Sequence, residues 1–220
     1  MLFMLPLSAL PAVADTAQLT LTALSNNSAG AYTYPYVFTV NATTNVPLMC
    51  DTFQNQVQSG DSWTANVFPL LSAGTSGNGL FSSLPNSQQY NQQLYDAAGL
   101  IYLGVLGQGP LANYAGLSNT ALGSWAIWDL FDPGTSQLQS SGVIDPYSTA
   151  DLTALDQVAL ANVGDTTDLA NVVVYTPVNG QVGGSSPQEF IGVVPEPATL
   201  ALMAAGLLSC GGIVRRKRRP

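Results

Sequence analysis

The stretch SQQYNQQLYDAAGLIYLGVLG, residues 87–107, marks the point at which the period of the apolar residues changes. Its apolar positions recur at three- and four-residue spacing, which is the period of one helix face. Ser87 favours an N-cap, and Gly107 favours the end of a helix. The stretch therefore predicts a helix whose buried face consists of Tyr90, Leu94, Ala98, Ile101 and Val105.

The segments before this helix alternate between apolar and polar residues, which is typical of strands. This alternation predicts strands over residues 19–23, 34–40, 48–53 and 62–68. Pro35 cannot donate to a strand ladder and therefore favours an edge position for the second strand. Residues 71–86 are rich in Gly and Ser, and this composition predicts a loop.

Helical spacing returns twice after residue 107, and strands close the domain. One helix is predicted over residues 120–131, capped by Ser118 or Asn119. Another follows Ser148 and is expected to bury Leu152, Leu155, Val158 and Ala159. Strands are predicted over residues 170–176 and 189–193. The predicted fold class is α+β, an antiparallel β-sheet or sandwich with a helical insertion of about three helices on one face.

Charge is distributed unevenly along the chain. The five basic residues lie between Arg215 and Arg219, so residues 1–214 contain no Lys, Arg or His. The thirteen acidic residues lie between Asp15 and Glu196, which gives residues 1–214 a formal charge of −13. A segment without cations cannot neutralise phosphate groups, so nucleic acid is excluded as an expected partner. The fold must instead depend on apolar burial and on hydrogen bonds among polar side chains.

The last segment has three parts in a fixed order. Val194-Pro195-Glu196-Pro197 comes first, the uncharged apolar residues 198–214 follow, and Arg215-Arg216-Lys217-Arg218-Arg219 forms a basic cluster. As a transmembrane helix the apolar run would reach about 26 Å, close to the thickness of a bilayer core. The basic cluster is expected to stay cytoplasmic, which would place everything before Val193 across the membrane.

This order of parts resembles the C-terminal sorting signal of PEP-CTERM proteins, which Gram-negative bacteria export. The resemblance covers residues 193–220 and implies that exosortase, a membrane-embedded transpeptidase-like enzyme, reads the Pro-Glu-Pro element. It also implies an anchor in the inner membrane with the domain in the periplasm. Release or re-attachment at the cell surface or in the extracellular matrix would follow, often beside exopolysaccharide. An ordinary single-pass anchor, the alternative, would need no Pro-Glu-Pro element.

The other end of the chain resembles a secretory signal peptide. Residues 2–10 are apolar, and Ala12-Val13-Ala14 precedes Asp15 as an A-x-A cleavage site would. This pattern predicts a signal peptide over residues 1–14, with its basic start lying further upstream. One extracytoplasmic α+β domain is then expected over residues 15–192, followed by the sorting signal over residues 193–220.

Two segments inside the predicted domain resemble surface proteins. Cys50-Asp51-Thr52-Phe53 and Trp125-Ala126-Ile127-Trp128 resemble a recurrent group of PEP-CTERM proteins. They are also distantly similar to thioester domains of bacterial adhesins, in which an early Cys bonds to a Gln just ahead of a similar Ala-Ile-Trp. Ser124 occupies that glutamine position here, and its side chain offers no carbonyl carbon, so Cys50 and Ser124 cannot form a thioester. Cys50 is therefore expected to be a small buried residue on a strand, and the two tryptophans are expected in the core.

Acidic side chains are the remaining candidates for a site. The spacing of Asp129 and Asp132 fits the carboxylate pair of a hydrolase, but it fits a helix stop equally well. The chain contains no histidine and no G-x-S-x-G, H-E-x-x-H or P-loop motif, so no enzyme is expected. A structural zinc site is excluded for the same lack of ligands. Calcium is left open as a cofactor, because hard oxygen ligands are available from Asp129, Asp132, Asp165 and Asp168.

These observations predict an exported, non-catalytic cell-surface or matrix protein that is sorted through its C-terminal signal and associated with exopolysaccharide. Its expected partners are an exosortase-like enzyme, the bacterial inner membrane and exopolysaccharide. A carbohydrate- or calcium-binding adhesin module is one alternative, in which Tyr32, Tyr34 and Tyr36 could stack on sugar rings. A secreted hydrolase that uses an Asp pair is the other.

Overall fold

The computed structural model describes residues 16–28, 30–53, 57–133, 147–164, 166–178 and 187–194. The strands within these ranges are β1 (Thr16–Ser28), β2 (Ala31–Val40), β3 (Thr43–Cys50), β4 (Ser62–Pro69), β5 (Val172–Pro177) and β6 (Phe190–Val193). The α-helices there are α1 (Leu70–Ala73), α2 (Gln88–Val105), α3 (Thr120–Phe131) and α4 (Thr149–Ala161). Short 3-10 helices cover Leu80–Ser83 and Thr167–Asn171. All described residues belong to one compact unit.

The strands form a closed antiparallel barrel in the order β1-β2-β3-β6-β5-β4. β4 pairs back onto β1, where Leu19 faces Trp63, so neither strand is left as an edge. The predicted α+β class with an antiparallel sheet is confirmed. The sheet is a closed barrel, however, and not the open sheet or sandwich that the sequence suggested, because its first and fourth strands join each other.

The predicted edge position of β2 is wrong. β2 pairs with β1 on one side and with β3 on the other. Pro35 lies where the β1 ladder shifts register, and pairing with β3 begins after it, at Tyr36. A missing N–H is tolerated at such an irregularity inside a sheet, which is why a proline can occupy an interior strand here.

Two apolar cores support the barrel from its two faces. Phe38, Trp63 and Phe190 pack edge-on or tilted against one another inside the barrel. The second core lies between the outer barrel face and the helices, and β5 contributes Val172 and Val174 to it. The intervening residues of β5 belong to the inner core. Strands buried on both faces read as continuous apolar runs, which explains why β5 and β6 show no polar alternation.

The helices α2, α3 and α4 begin where the sequence predicts. Ser87, Asn119 and Ser148 each accept a hydrogen bond from a backbone N–H of the first turn. Two predictions of burial are wrong, because Tyr90 and Val158 are 43% and 37% exposed. The predicted loop after β4 contains α1 and the first 3-10 helix.

The targeting segments lie outside the described residues. No helix in the described part of the chain is long and apolar enough to cross a membrane. The signal peptide at residues 1–14, the transmembrane helix at residues 198–214 and the basic cluster at residues 215–219 all fall in undescribed ranges. These segments and the domain limits drawn from them stay predictions.

Candidate functional site

The ladder between β3 and β6 is the shortest in the described barrel. Met49 pairs with Ile191 and Cys50 with Phe190. The amide of Asp51 then donates to the carbonyl oxygen of Glu189 at 3.3 Å, which extends the pairing by one step. This ladder joins two segments that are far apart in sequence. We name their polar end the seam cluster, which consists of Cys50, Asp51, Thr52, Gln188 and Glu189.

Glu189 is fully buried, and donors reach both oxygens of its carboxylate. The hydroxyl of Tyr95 on α2 donates to Oε1 at 2.7 Å. The amide of Leu80 donates to Oε2 at 2.8 Å, and the hydroxyl of Thr176 on β5 donates to the same oxygen. These donors take the place of water around a carboxylate that solvent does not reach.

Asp51 lies beside Glu189 and is also buried. Its Oδ1 accepts from the hydroxyl of Thr52 at 3.0 Å, and its carboxyl group hydrogen-bonds with the side chain of Glu189. Burial raises the pKa of Asp51 well above its usual range, and the negative charge of Glu189 raises it further. Since residues 1–214 contain no cation, two charges here would have no counterion. A proton on Asp51 removes this repulsion, so burial beside Glu189 favours the protonated carboxyl group of Asp51.

Cys50 is a buried free thiol at the same seam. Its Sγ–H donates to the carbonyl oxygen of Thr52 at 3.0 Å, and Nε2 of Gln188 donates to that oxygen at 2.9 Å. Burial raises the pKa of the Cys50 thiol well above its usual range, and the charge of Asp51 raises it further. A protonated, buried thiol is a poor nucleophile. The prediction that Cys50 is a small buried residue on a strand is confirmed.

Ser124 ties α3 to β2 and takes no part in the seam cluster's hydrogen bonds described above. Its hydroxyl accepts from the amide of Tyr34 at 3.0 Å and donates to the carbonyl oxygen of Thr120 at 3.3 Å. One turn later the indole N–H of Trp128 donates to the carbonyl oxygen of Cys50 at 3.1 Å. Trp128 and its neighbour Trp125 are buried, so their predicted place in the core is confirmed.

A second acid pair, of which Asp156 is the buried member, joins α3 to α4. Asp156 on α4 is 8% exposed and lies beside Asp129 on α3. Burial raises the pKa of Asp156 to about 8, and the charge of Asp129 and a hydrogen bond with it add to this shift. The spacing in the sequence suggested instead that Asp129 and Asp132 form a carboxylate pair. Asp132 instead occupies the C-cap position of α3, where its amide donates to a helix carbonyl at 3.0 Å.

The four aspartates named as candidate calcium ligands are only partly described. Asp129 faces Asp156, Asp132 ends α3, and Asp168 lies on the 3-10 helix before β5. Asp165 falls outside the described ranges. Among the described residues, no three His, Cys, Asp or Glu side chains are grouped so that they could hold a metal. Calcium binding therefore stays a prediction.

The seam cluster was missed because the sequence gives no sign that residues 51 and 189 meet. A weaker signal was available at Glu189. It directly precedes an apolar strand in a segment without cations, and a carboxylate at such a position is either exposed or held by neutral donors.

The segment that begins at the end of β6 has a known counterpart. Residues 193–219 match the model of the PEP-CTERM protein-sorting motif. The chain carries a PEP-CTERM sorting motif. Such motifs mark exported proteins that are anchored in the membrane and sorted to the cell surface by exosortase. The first residues of this motif are described, and the amide of Val194 donates to the carbonyl oxygen of Asn171 at 2.9 Å. The Pro195-Glu196-Pro197 element and the basic cluster lie outside the described ranges.

Two further comparisons concern the whole chain. The N-terminal thioester domain of fibronectin-binding protein SfbI from Streptococcus pyogenes is similar in structure, with a TM-score of 0.42 and 11% sequence identity. The similarity covers 82% of this chain and 94% of that one. No curated protein matches the chain.

Proposed function

We propose that this is a non-catalytic protein of the bacterial cell surface or extracellular matrix, delivered through its sorting motif and associated there with exopolysaccharide. The observation that carries the proposal is the match of residues 193–219 to the PEP-CTERM motif. The match begins at the last residue of β6, so the chain passes from barrel strand to sorting motif without a separate linker. The delivered part is then a complete barrel domain.

The environment of the reactive side chains supports a function without catalysis. The Cys50 thiol and the carboxyl groups of Asp51 and Glu189 are each at most 1% exposed. Donors from the protein already reach the oxygens of Glu189. Catalysis needs groups that reach a substrate, and these groups instead hold two parts of the barrel together.

The negative charge of the domain supports a function outside the cell as a separate, soluble unit. Residues 1–214 carry acidic side chains and no basic ones. Domains with the same strong negative charge repel one another, which keeps them dispersed. The same charge disfavours binding to anionic lipid, so membrane attachment would depend on the C-terminal segment.

The proposal is tested by changing the Pro-Glu-Pro element in the native host. We expect the triple variant Pro195→Ala, Glu196→Ala and Pro197→Ala to accumulate unprocessed in the inner membrane, while the unchanged protein reaches the surface or the medium. Asp168→Asn, which removes an exposed carboxylate elsewhere, serves as the control and should be sorted normally. Normal surface delivery of the triple variant would contradict the proposal.

Sugar binding is the second candidate function, and one observation favours it. Tyr32 on β2 is 46% exposed, whereas Tyr34 and Tyr36 are buried in the cores. An exposed ring of this kind can stack on a sugar. Retention on a gel that carries the host's own polysaccharide would support this function if Tyr32→Ala abolished it. Tyr90→Ala provides a matched control, since Tyr90 on α2 is similarly exposed, at 43%.

A further inference from the structure

The barrel has one ladder that is much shorter than the rest. β3 and β6 pair at Met49–Ile191 and Cys50–Phe190, whereas β5 and β6 pair from Val172–Val193 to Tyr175–Phe190. β6 therefore pairs with β5 over more residues than with β3. If the barrel opens locally, the described ladders indicate that it opens between β3 and β6.

The buried acid pair lies at the end of this short ladder. Asp51 follows β3 directly and Glu189 precedes β6 directly, so each carboxyl group belongs to a different side of the seam. The donors to Glu189 from Thr176 and Tyr95 come from β5 and α2. These donors stay with the β6 side, while Asp51 stays with β3. Repulsion between the two carboxylates would thus act across the seam.

The groups that face the pair offer no compensating positive charge. The titratable side chains there are Cys50 on β3, Tyr95 on α2 and, next to Cys50, Tyr36 on β2. Thr176 on β5 and the amide of Leu80 contribute neutral donors. The thiol and the phenols are neutral or negative at any pH, so none of the described side chains at the seam supplies a positive charge between the two carboxyl groups.

We propose that Asp51 and Glu189 form a proton-held latch on the β3–β6 ladder. With one proton between the two carboxyl groups the barrel is closed. Loss of that proton to a base in the solvent leaves two carboxylates without a counterion, and β3 separates from β6. The latch does not depend on the proposed function. It sits next to the sorting motif, however, because the strand it holds ends where that motif begins.

Hydrogen exchange of the full-length protein in detergent micelles tests the latch. The readout is the protection of the Asp51 amide, and of peptides covering residues 48–52 and 188–193, each corrected for the intrinsic effect of pH. Because burial and Glu189 raise the pKa of Asp51, we expect seam protection to be complete at low pH and to fall by about tenfold per pH unit once the proton leaves. The β1–β2 ladder in the same molecule is the internal control and should keep its protection.

Variants separate the latch from a general effect of pH. Asp51→Asn should keep the seam protected at the pH values at which the unchanged protein opens, because its amide can donate toward Glu189 as the acid proton does. Asp151→Asn, which removes an exposed charge at the start of α4, should behave like the unchanged protein. Glu189→Gln is the second latch variant if Asp51→Asn does not fold, and the comparison of the two ladders in the unchanged protein needs no variant. The proposal is overturned if seam protection is independent of pH, if both ladders lose protection together, or if a folded latch variant opens as the unchanged protein does.

Discussion

The hydroxyl of Tyr95 donates a 2.7 Å hydrogen bond to Oε1 of Glu189, although the two residues lie 94 positions apart. The same hydroxyl accepts from the amide of Phe81 at 3.0 Å. Tyr95 thus connects α2 and the first 3-10 helix to the segment that enters β6. The helical layer and the closing strand of the barrel are therefore stabilised by one shared side chain.

Removing this hydroxyl should weaken the whole domain. Tyr95→Phe leaves the Phe81 amide and one oxygen of Glu189 without their partner in a buried place. We expect the free energy of unfolding to fall by about 2–3 kcal/mol, measured by denaturant titration. Tyr90→Phe, which removes an exposed hydroxyl from the same helix, should change it by less than about 0.5 kcal/mol. Equal effects of the two variants would show that the buried hydroxyl has no special role.

A close backbone approach between α1 and α2 gives a second prediction. A Cβ added at Gly74 would lie 2.3 Å from the amide nitrogen of Gln92 and 2.5 Å from its Cα. Backbone atoms of a helix cannot move aside as a side chain can, so Gly74→Ala should lower the free energy of unfolding by about 1–3 kcal/mol. A Cβ at Gly164 would meet nothing within 4 Å, so Gly164→Ala is the matched control. Thermal unfolding of both variants tests the difference, and a neutral Gly74→Ala would contradict the packing described.

The acid pair between α3 and α4 predicts an unusual dependence of stability on pH. The folded chain holds the proton of Asp156 up to about pH 8, whereas an unfolded chain releases it near about pH 4. The stabilising contribution is thus complete below about pH 4 and is lost as the pH rises through about 8. In that window stability should fall by up to about 1.4 kcal/mol per pH unit from this group alone. Denaturant titrations at several pH values measure this slope.

Asp156→Asn provides the control for that slope. The amide cannot titrate, so the variant's stability should depend less on pH by the same amount over the same window. Asp168→Asn, an exposed position, should leave the slope unchanged. If Asp156→Asn and the unchanged protein showed identical slopes, the raised pKa of Asp156 would be wrong.

The state of Cys50 gives a fourth prediction. The structure has this thiol free and hydrogen-bonded to Thr52, and Ser124 on α3 is engaged with Tyr34 and Thr120. The intact mass should therefore show no loss of ammonia, which would lower it by about 17 Da if Cys50 had bonded to a glutamine amide. Alkylation of Cys50 should be slow in the native protein and complete after denaturation. A deficit that disappears in Cys50→Ser would contradict this prediction.

The parts of the fold that depend on local pattern could be predicted from the sequence. α2 and the strands near residues 34–40 and 62–68 follow their periods, and the N-caps at Ser87 and Ser148 follow from side-chain chemistry. The predicted burial of Val158 was wrong, because helical spacing alone does not say how wide the buried face of a helix is. The edge position predicted from Pro35 was wrong, because proline's missing N–H excludes it only where the ladder needs a donor. The register shift at Pro35 needs no donor, and the sequence does not reveal this shift.

Closure of the barrel and the seam cluster could not be predicted in this way. Both depend on pairings between distant segments, such as Leu19 with Trp63 and Cys50 with Phe190. A strand pattern indicates which residues face a core, but it does not identify the partner strand. The meeting of Asp51 and Glu189 follows from the β3–β6 pairing, so it became visible with the structure.

Delivery of this domain through the C-terminal motif is the central claim. It is tested most directly by mapping both ends of the mature protein from its native host. Mass spectrometry of the cell-surface or matrix fraction should find a chain that begins near Asp15 and lacks the basic residues 215–219. Recovery of a soluble cytosolic chain with both terminal segments intact would contradict the account.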